Sequence, residues 1–206
     1  MNQMNIEESL AELVGFNSVS ANSNKEIIEY LSARTEALGM SVRLLPYRDE
    51  HDVEKVNMVA VAGASGVDDE IELALVGHTD TVPFDVTWSD ALQLKASDGK
   101  LYGRGACDTK AYIAAALAVA ESLELKNLRR PLALIFTADE EVGCLGAKRL
   151  EEARVLCARY AIVGEPTSLR PMRAGKGYCL AEVLVYGREG HSAYPSTGAS
   201  AIFRAA

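Results

Sequence analysis

The sequence predicts an α/β fold: a layered, largely parallel mixed sheet with helices on both faces. Short apolar runs alternate along the chain with segments of helical periodicity. Strands and helices that alternate in this way form sheets with helical connections. The composition, 49% hydrophobic and 24% charged over 206 residues, is that of a globular chain. No internal repeat or low-complexity tract interrupts the alternation.

Two helices are predicted before the first strand. Residues 6–16 form the first, and residues 24–38 form the second, in which apolar side chains recur at helical spacing. Ser23 and Glu26 make a capping-box pattern ahead of the second helix, and Gly39 follows it as a stop. The second helix is therefore expected to be amphipathic.

Strands and further helices then alternate. The predicted strands are apolar runs bounded by turn residues: 41–45, 57–62, 71–76, 132–137 and 161–163. Residues 92–102 are predicted to be a hairpin whose turn lies at Ser97-Asp98-Gly99. Asp108 is expected to open a helix that runs to residue 125, and another helix is expected over residues 145–153.

The pattern changes after residue 176, where a second domain is predicted to start. Residues 180–186 alternate as in a half-exposed strand, a glycine-rich turn leads to His191, and a helix begins near Gly198. Residues 1–176 are expected to form the first domain, and residues 177–206 the start of the second. Because the pattern is still helical at the last residue, we expect the chain to be the N-terminal portion of a longer protein.

Charge and composition exclude several classes of partner. The formal net charge is −8 and no basic cluster appears, so a nucleic-acid partner is not expected. No segment resembles a secretory signal or is apolar for long enough to span a bilayer, so a cytoplasmic protein without a membrane partner is expected. The four cysteines lack CxxC spacing and are expected to be free thiols.

Residue types that bind metals follow several of the apolar runs. The carboxyl ends of strands in an open α/β sheet form the crevice in which ligands bind, so these residues are expected at one edge. Unpaired carboxylates cannot gather there, because like charges repel and desolvation adds to the cost. A cation would resolve the repulsion, and the sequence therefore predicts a metal site. The candidate residues are His78, Asp80, Asp108, Glu140, Glu141 and Glu165.

His78 and Asp80 alternate at a strand end, so a regular strand would point their side chains to opposite faces. This favours His78 as the ligand and Asp80 as the group that fixes the imidazole orientation. A buried histidine followed by a turn aspartate is the alternative. Asp108 is equally consistent with a helix cap and with a ligand, and one carboxylate could serve as both.

Glu140 and Glu141 follow the strand over 132–137, with Asp139 directly before them. Adjacent side chains diverge, so one carboxylate can hold a metal while its neighbour accepts a proton from water at the metal. An isolated pair of glutamates is more often only a solvated turn. Three consecutive acids after an apolar strand favour the metal interpretation.

Glu165 and His191 carry weaker signals. Glu165 lies between a glycine and a proline at the end of a strand, where a ligand and an exposed turn acid are equally consistent with the pattern. His191 lies in a predicted loop, where functional residues concentrate, but a lone loop histidine is more often incidental.

Taken together, four segments resemble the M20 family of metallopeptidases and deacylases in order and spacing. The resemblance implies a catalytic zinc-hydrolase domain over residues 1–176 and the start of an α+β lid or dimerisation domain over residues 177–206. The segments are Gly77-His78-Thr79-Asp80-Thr81-Val82-Pro83, Gly103-Arg104-Gly105 with Asp108, Asp139-Glu140-Glu141 and Gly164-Glu165-Pro166.

The resemblance also implies two divalent ions, zinc or cobalt, in each complete site. His78 and Glu165 match ligands of one ion, Glu141 matches a ligand of the other, and Asp108 matches a carboxylate shared by both. A further histidine ligand of the second ion is expected beyond the last residue of this chain.

The catalytic roles are implied in the same way. Glu140 matches the general base, and Asp80 matches the carboxylate beside His78. His191 matches a lid histidine that, in dimeric relatives, reaches the neighbouring subunit's site and helps to polarise the scissile carbonyl. A homodimer is therefore expected for the complete protein.

The function that the resemblance implies is hydrolysis of a small N-acyl amino acid, with removal of the acetyl group from N2-acetyl-L-ornithine. A desuccinylase acting on succinyl-diaminopimelate, or a small peptidase, is the alternative within the family. A non-catalytic metal-binding module is the alternative of another class. The 206-residue chain alone is expected to have little activity.

Overall fold

The computed structural model describes residues 5–63, 70–177, 179 and 181–206. The chain divides into two compact units, the first ending at Leu169 and the second beginning at Arg170. The first unit holds the sheet and almost all of the predicted site residues. The domain boundary expected after residue 176 stays a prediction.

Five of the strands of the first unit form one mixed sheet in the order β1-β2-β6-β3-β7. β3 pairs in parallel with both β6 and β7, whereas β2 pairs antiparallel with β1 and with β6. β4 and β5 form the predicted hairpin. The predicted α/β class with a mixed sheet is therefore confirmed. The strands are β1 (Ser41–Arg48), β2 (Glu54–Ala62), β3 (Ile71–His78), β4 (Lys95–Ser97), β5 (Lys100–Tyr102), β6 (Leu132–Thr137) and β7 (Ala158–Val163).

Helices cover both faces of the sheet. α1, α2 and α3 pack on one face in a core that includes Met58, Leu134 and Phe136, and α4 packs on the other beside Val59 and Ile135. The strands supply both cores because successive side chains point to opposite faces. The helices are α1 (Ile6–Gly15), α2 (Lys25–Ala37), α3 (Ala111–Ser122), α4 (Leu145–Glu152) and, in the second unit, α5 (Ala201–Ala205).

The start of α2 differs from the prediction. The cap residue is Asn24, and its side chain makes no capping hydrogen bond. Instead the buried amide donates to the carbonyl of Val56 and to the hydroxyl of Thr79, and accepts from the amide of Val56. Asn24 therefore ties the helix to β2 and to the segment that follows β3, which the predicted Ser23–Glu26 pattern could not reveal.

Asp108 does not open a regular helix, contrary to the prediction. It lies in a π turn over Ala106–Lys110, with φ of −118° and ψ of 93°, and a cis peptide bond joins it to Thr109. Regular α-helix begins only at Ala111, the first residue of α3.

The strand predicted over residues 180–186 is not formed at residues 181–186, and residue 180 lies outside the described part of the chain. Val183, Leu184 and Tyr186 are exposed there. A strand requires a hydrogen-bonded partner, and none pairs with this segment among the described residues. The predicted helix near Gly198 forms as α5, which Ser200 caps through its hydroxyl.

Candidate metal centre

The parallel strands β3, β6 and β7 end at the same edge of the sheet and carry acidic residues or histidine there. His78 is the last residue of β3, Glu140 follows the end of β6, and Glu165 follows the end of β7. The register aligns these ends, because His78 lies opposite Thr137 and Val76 lies opposite Val163. The topology alone therefore gathers residues that are far apart in the sequence.

Asp108 reaches this edge from the π turn. Gly105, just before the turn, has φ of +76°, and a Cβ atom there would lie 2.6 Å from Cγ2 of Thr81. Both the left-handed backbone and the close approach require glycine. Gly105 thus allows the chain to pass close to the segment after β3 and to bring Asp108 toward His78.

Three side chains converge closely at this edge. His78, Asp108 and Glu141 each offer a ligand atom, and these atoms all lie within 4.8 Å of one another. Nε2 of His78 lies 3.0 Å from Oδ1 of Asp108 and 3.9 Å from Oε2 of Glu140. His78 is buried, whereas the carboxylates are partly exposed.

The short distance between His78 and Asp108 is consistent with a cation bound by both side chains. Nδ1 of His78 lies 3.0 Å from the backbone oxygen of Asp80, which a ring N–H can donate to, and 3.6 Å from Oδ1 of the same residue. In that neutral tautomer Nε2 is an acceptor, and it faces a second acceptor, the Asp108 carboxylate. Two acceptors at 3.0 Å require a proton or a cation between them.

Electrostatics support the same conclusion. Burial lowers the pKa of His78, but the carboxylates of Asp80, Asp108 and Glu140 outweigh it and raise that pKa to about 9. Burial and neighbouring acids also raise the pKa values of Glu141 and Glu165. This edge therefore favours bound positive charge, which a divalent cation would supply. His78, Asp108 and Glu141 fit a metal ion, with Glu165 close enough to respond to the same charges.

Asp80 fixes the loop that carries the two glutamates. Its buried carboxylate accepts hydrogen bonds from the hydroxyl of Ser20 at 2.8 Å and from the backbone amides of Glu140 and Glu141, each at 3.1 Å. Burial raises the pKa of Asp80, but hydrogen bonds from His78, Ser20 and Glu140 outweigh burial and lower it. Asp80 therefore stays ionised and contacts both the histidine and the acidic loop.

Replacing Asp80 by Asn is expected to lower metal affinity or turnover about 10- to 100-fold, as is usual for groups that orient ligands. The side-chain NH₂ of the new asparagine would face the backbone N–H of Glu140 or of Glu141. At least one of the three hydrogen bonds that the carboxylate accepts would therefore be lost. Metal titration and kcat measure the effect. Asp85→Asn, at an exposed turn aspartate, is the matched control. Unchanged binding and turnover in D80N would contradict this role.

Glu165 is not one of the three converging residues, and His191 belongs to the second unit. Glu165 is exposed and lies outside the three residues whose ligand atoms meet within 4.8 Å. His191 lies in the second unit, where it is exposed and its Nδ1 accepts a hydrogen bond from the amide of Ala193 at 3.1 Å. The ligand and catalytic roles of all these residues stay predictions.

Sequence reasoning missed a buried polar group beside the acidic loop. Tyr47 donates a hydrogen bond of 2.8 Å to Asp139, and Nζ of Lys55 lies 3.2 Å from the other carboxylate oxygen of Asp139. The available signal was a lysine next to the apolar run of β2, where a charge must be paired. No pattern in the sequence indicated Tyr47.

A cavity of about 620 Å3 lies next to this group. Its wall includes the polar residues Glu141, Asp139 and Tyr47, together with apolar residues such as Val82 and Leu145. The guanidinium of Arg149 covers the Tyr47 ring at 4.5 Å from its centroid. Space for a small organic group therefore exists directly beside one of the three metal-binding candidates.

The motif residues and much of the chain match a known sequence family. Residues 74–205 match the pattern described as Peptidase family M20/M25/M40. The chain belongs to this family. The resemblance inferred from the four segments is thereby confirmed. Within the residues that the structure describes, the helices are too short or too polar to cross a bilayer.

Similar M20 family proteins include two named acetylornithine deacetylases. The protein from Myxococcus xanthus is 57% identical over 197 residues, which cover 96% of this chain and 51% of that protein. The protein from Pasteurella multocida is 40% identical over 182 residues, covering 87% of this chain and 46% of that protein. This M20 chain therefore spans about half the length of these relatives.

Solved structures share the M20 fold at lower identity. A tripeptidase from Staphylococcus aureus is 23% identical with a TM-score of 0.62, covering 100% of this chain and 55% of that one. An M20 family metallo-carboxypeptidase from Sulfolobus solfataricus is 23% identical with a TM-score of 0.60, and the match covers 78% of this chain and 37% of that one. At these identities the likeness establishes the fold alone.

Proposed function

We propose that the complete protein is a metal-dependent amide hydrolase that converts N2-acetyl-L-ornithine to L-ornithine and acetate. The observation that carries the proposal is the convergence of His78, Asp108 and Glu141, with Glu140 alongside, in a chain 57% identical to a named acetylornithine deacetylase. Arginine biosynthesis, a cytoplasmic location and a homodimer belong to the same proposal.

His78 and Glu165 would hold one divalent ion, zinc or cobalt, Glu141 would hold a second, and Asp108 would contact both. Such ions lower the pKa of water and polarise a carbonyl when bound. The mixed set of one imidazole and several carboxylates supports this, since zinc binds both histidine nitrogen and carboxylate oxygen. Asp80 would keep the imidazole of His78 in the tautomer whose Nε2 is free to bind.

Glu140 would move the proton in this reaction. Its carboxylate is partly exposed, and one oxygen lies 3.9 Å from Nε2 of His78 while the other lies 3.5 Å from Sγ of Cys144. Glu140 would accept a proton from the attacking water, and the water oxygen would bond to the acyl carbon. When the C–N bond breaks, Glu140 would return that proton to the leaving amine.

His191 would donate to the developing oxyanion of the acyl carbonyl, in a homodimer in which it serves the neighbouring copy's site. Its imidazole is exposed and able to contact another molecule. Preorganised donors aimed at a developing oxyanion commonly contribute about 10²- to 10³-fold to kcat. The test of this role is the rate of His191→Ala in the purified dimer.

The substrate is tested with protein expressed from the complete open reading frame and loaded with zinc or cobalt. Proton NMR would follow release of acetate and succinate from an equimolar mixture of N-acetylornithine and N-succinyl-diaminopimelate. Acetate alone is the expected result. Succinate alone would keep the chemistry and overturn the substrate, and release of neither would lead to dipeptides and then to the non-catalytic alternative.

Metal removal is expected to abolish this turnover. Dialysis against a chelator should lower acetate release at least about 100-fold, because the uncatalysed water is a poor nucleophile at neutral pH. Adding back zinc or cobalt should restore the rate. A chelated protein that contains no metal by elemental analysis and still releases acetate would contradict the metal-dependent mechanism.

A further inference from the structure

The acidic loop begins with an unusual residue. Asp139 has φ of +56°, in the left-handed region that side chains other than glycine rarely adopt, and it is buried. Such a conformation persists only where the surroundings hold it in place. The two residues that follow are Glu140 and Glu141, so the backbone angles of Asp139 set the directions in which both glutamates leave the sheet.

The side chain of Asp139 is held by two groups from neighbouring strands. The hydroxyl of Tyr47, in β1, donates to Oδ2 at 2.8 Å. Nζ of Lys55, in β2, lies 3.2 Å from Oδ1 as an ion pair, and Oδ1 has no aligned hydrogen-bond donor among the described residues. Tyr47 and Lys55 are paired in the sheet register, and both contacts reach the carboxylate from strands that carry none of the metal-binding candidates.

Lys55 is itself fully enclosed. Its side chain is 1% exposed, and Nζ donates to the backbone carbonyls of Ser20 and Asn22 and lies 3.6 Å from Asp49. Burying a lysine and an aspartate is expensive, and an apolar pair of similar volume would often be equally stable. The pair is therefore better explained by the conformation that it specifies than by the stability it contributes.

The rest of the loop is fixed through its backbone. The amides of Glu140 and Glu141 donate to Asp80, and the carbonyl of Asp139 accepts from the amide of Leu145 at 2.9 Å. These bonds fix the path of the chain on the side of the metal edge. The side chain of Asn57 accepts from the amide of Ala138 just before the turn, and the carboxylate of Asp139 anchors the left-handed residue itself.

We infer that Tyr47, Lys55 and Asp139 form a positioning unit that aims the carboxylates of Glu140 and Glu141. The inference rests on the proposed function for the roles of the two glutamates. Among the hydrogen bonds and ion pairs described, Tyr47 and Lys55 contact the acidic loop only through Asp139, so the unit acts through the turn. Because a displacement of about 1 Å can cost about 100-fold in rate, a modest rotation of the turn is sufficient for a large effect.

The decisive variant is Tyr47→Phe in the complete, metal-loaded protein. It removes one hydroxyl and leaves the ring, so the cavity wall keeps its shape. The expected result is a fall in kcat of at least about tenfold, with KM within about twofold and Tm lowered by no more than about 4 °C. In cobalt-loaded protein, the visible absorption of the metal should also change, since Glu141 would be reoriented.

Tyr30→Phe is the matched control. It removes the same hydroxyl from a tyrosine in α2 that accepts a hydrogen bond from Arg34, at a site away from the acidic loop. Its kcat and cobalt spectrum should equal those of the unmodified protein. Equal kcat and an equal spectrum in Y47F would overturn the inference.

A second variant separates positioning from stability. Lys55→Met alone leaves a buried unpaired carboxylate and should lower Tm strongly, whereas the double variant K55M/D139N removes both charges and should recover most of that loss. The kcat of the double variant is expected to stay at least about tenfold low. Recovery of both Tm and kcat would show a purely structural pair and overturn the inference.

The two proposals fail in different ways. If the unmodified protein hydrolyses none of the amides offered, the proposed function fails, and the cobalt spectrum of Y47F still decides whether the unit orients Glu141. If the unmodified protein is active and Y47F matches it in both rate and spectrum, only the positioning role fails.

Discussion

Replacing Glu140 by Gln in the complete, metal-loaded protein is expected to lower kcat by about 10²- to 10⁴-fold, the usual contribution of a general base. Gln keeps the size and the backbone bond to Asp80 but cannot accept and return a proton. Metal content by elemental analysis should stay within about twofold. Acetate release under saturating substrate measures kcat.

Glu151→Gln, on the exposed surface of α4, is the matched control and should change neither quantity. Loss of metal together with activity in E140Q would show that Glu140 is itself a ligand. The distance of 3.9 Å between Glu140 and Nε2 of His78 makes that outcome worth measuring. Full activity in E140Q would exclude Glu140 as the base.

Replacing Gly164 by Ala is expected to lower the free energy of unfolding by about 3 kcal/mol or more, at the upper end of overpacking effects. A Cβ atom at this position would lie 2.1 Å from Cγ of Tyr112, a ring atom that cannot give way locally. The amide of Gly164 donates a hydrogen bond to the carbonyl of Val76, and its carbonyl accepts one from the hydroxyl of Thr109. Movement of the backbone at Gly164 would therefore also displace Glu165. Urea unfolding measures the change.

The clash can be tested by removing the other partner. In a Tyr112→Ala background the same Gly164→Ala change should cost less than about 1 kcal/mol, because the ring that blocks the new methyl group is gone. Additive costs in the double variant would show that the ring contact is not the cause. The Tyr112 hydroxyl also donates to the carbonyl of Ile162, so Y112A alone has its own moderate cost.

The strands were the part of the fold that the sequence predicted best. β3 and β6 are apolar runs that end in His78 and Thr137, and burial of both faces dictates such runs. Helix starts were predicted less well. The side chain of Asn24 serves contacts with β2 and Thr79 rather than its own helix, and such long-range hydrogen bonds leave no trace in a local pattern.

The candidate site was predicted from the strand ends for the same physical reason. His78 ends one strand of a parallel set, and Glu140 and Glu165 follow the other two, so topology alone brings them to one edge. The contacts of Tyr47 and Lys55 with Asp139, which lie behind these residues, were not predicted. Tyr47 and Lys55 come from strands that run antiparallel to their neighbours, and their contact with Asp139 depends on the sheet order.

The central place of β6 has a consequence for the nascent chain. β2 and β3 leave the ribosome well before β6, yet they pair with β6 and not with each other. Until β6 emerges, one edge of β2 and both edges of β3 present unpaired backbone N–H and C=O groups between apolar side chains. Unfinished chains associate through such edges. The arrangement that gathers the acids thus leaves strand edges of the early polypeptide open to association until β6 is made.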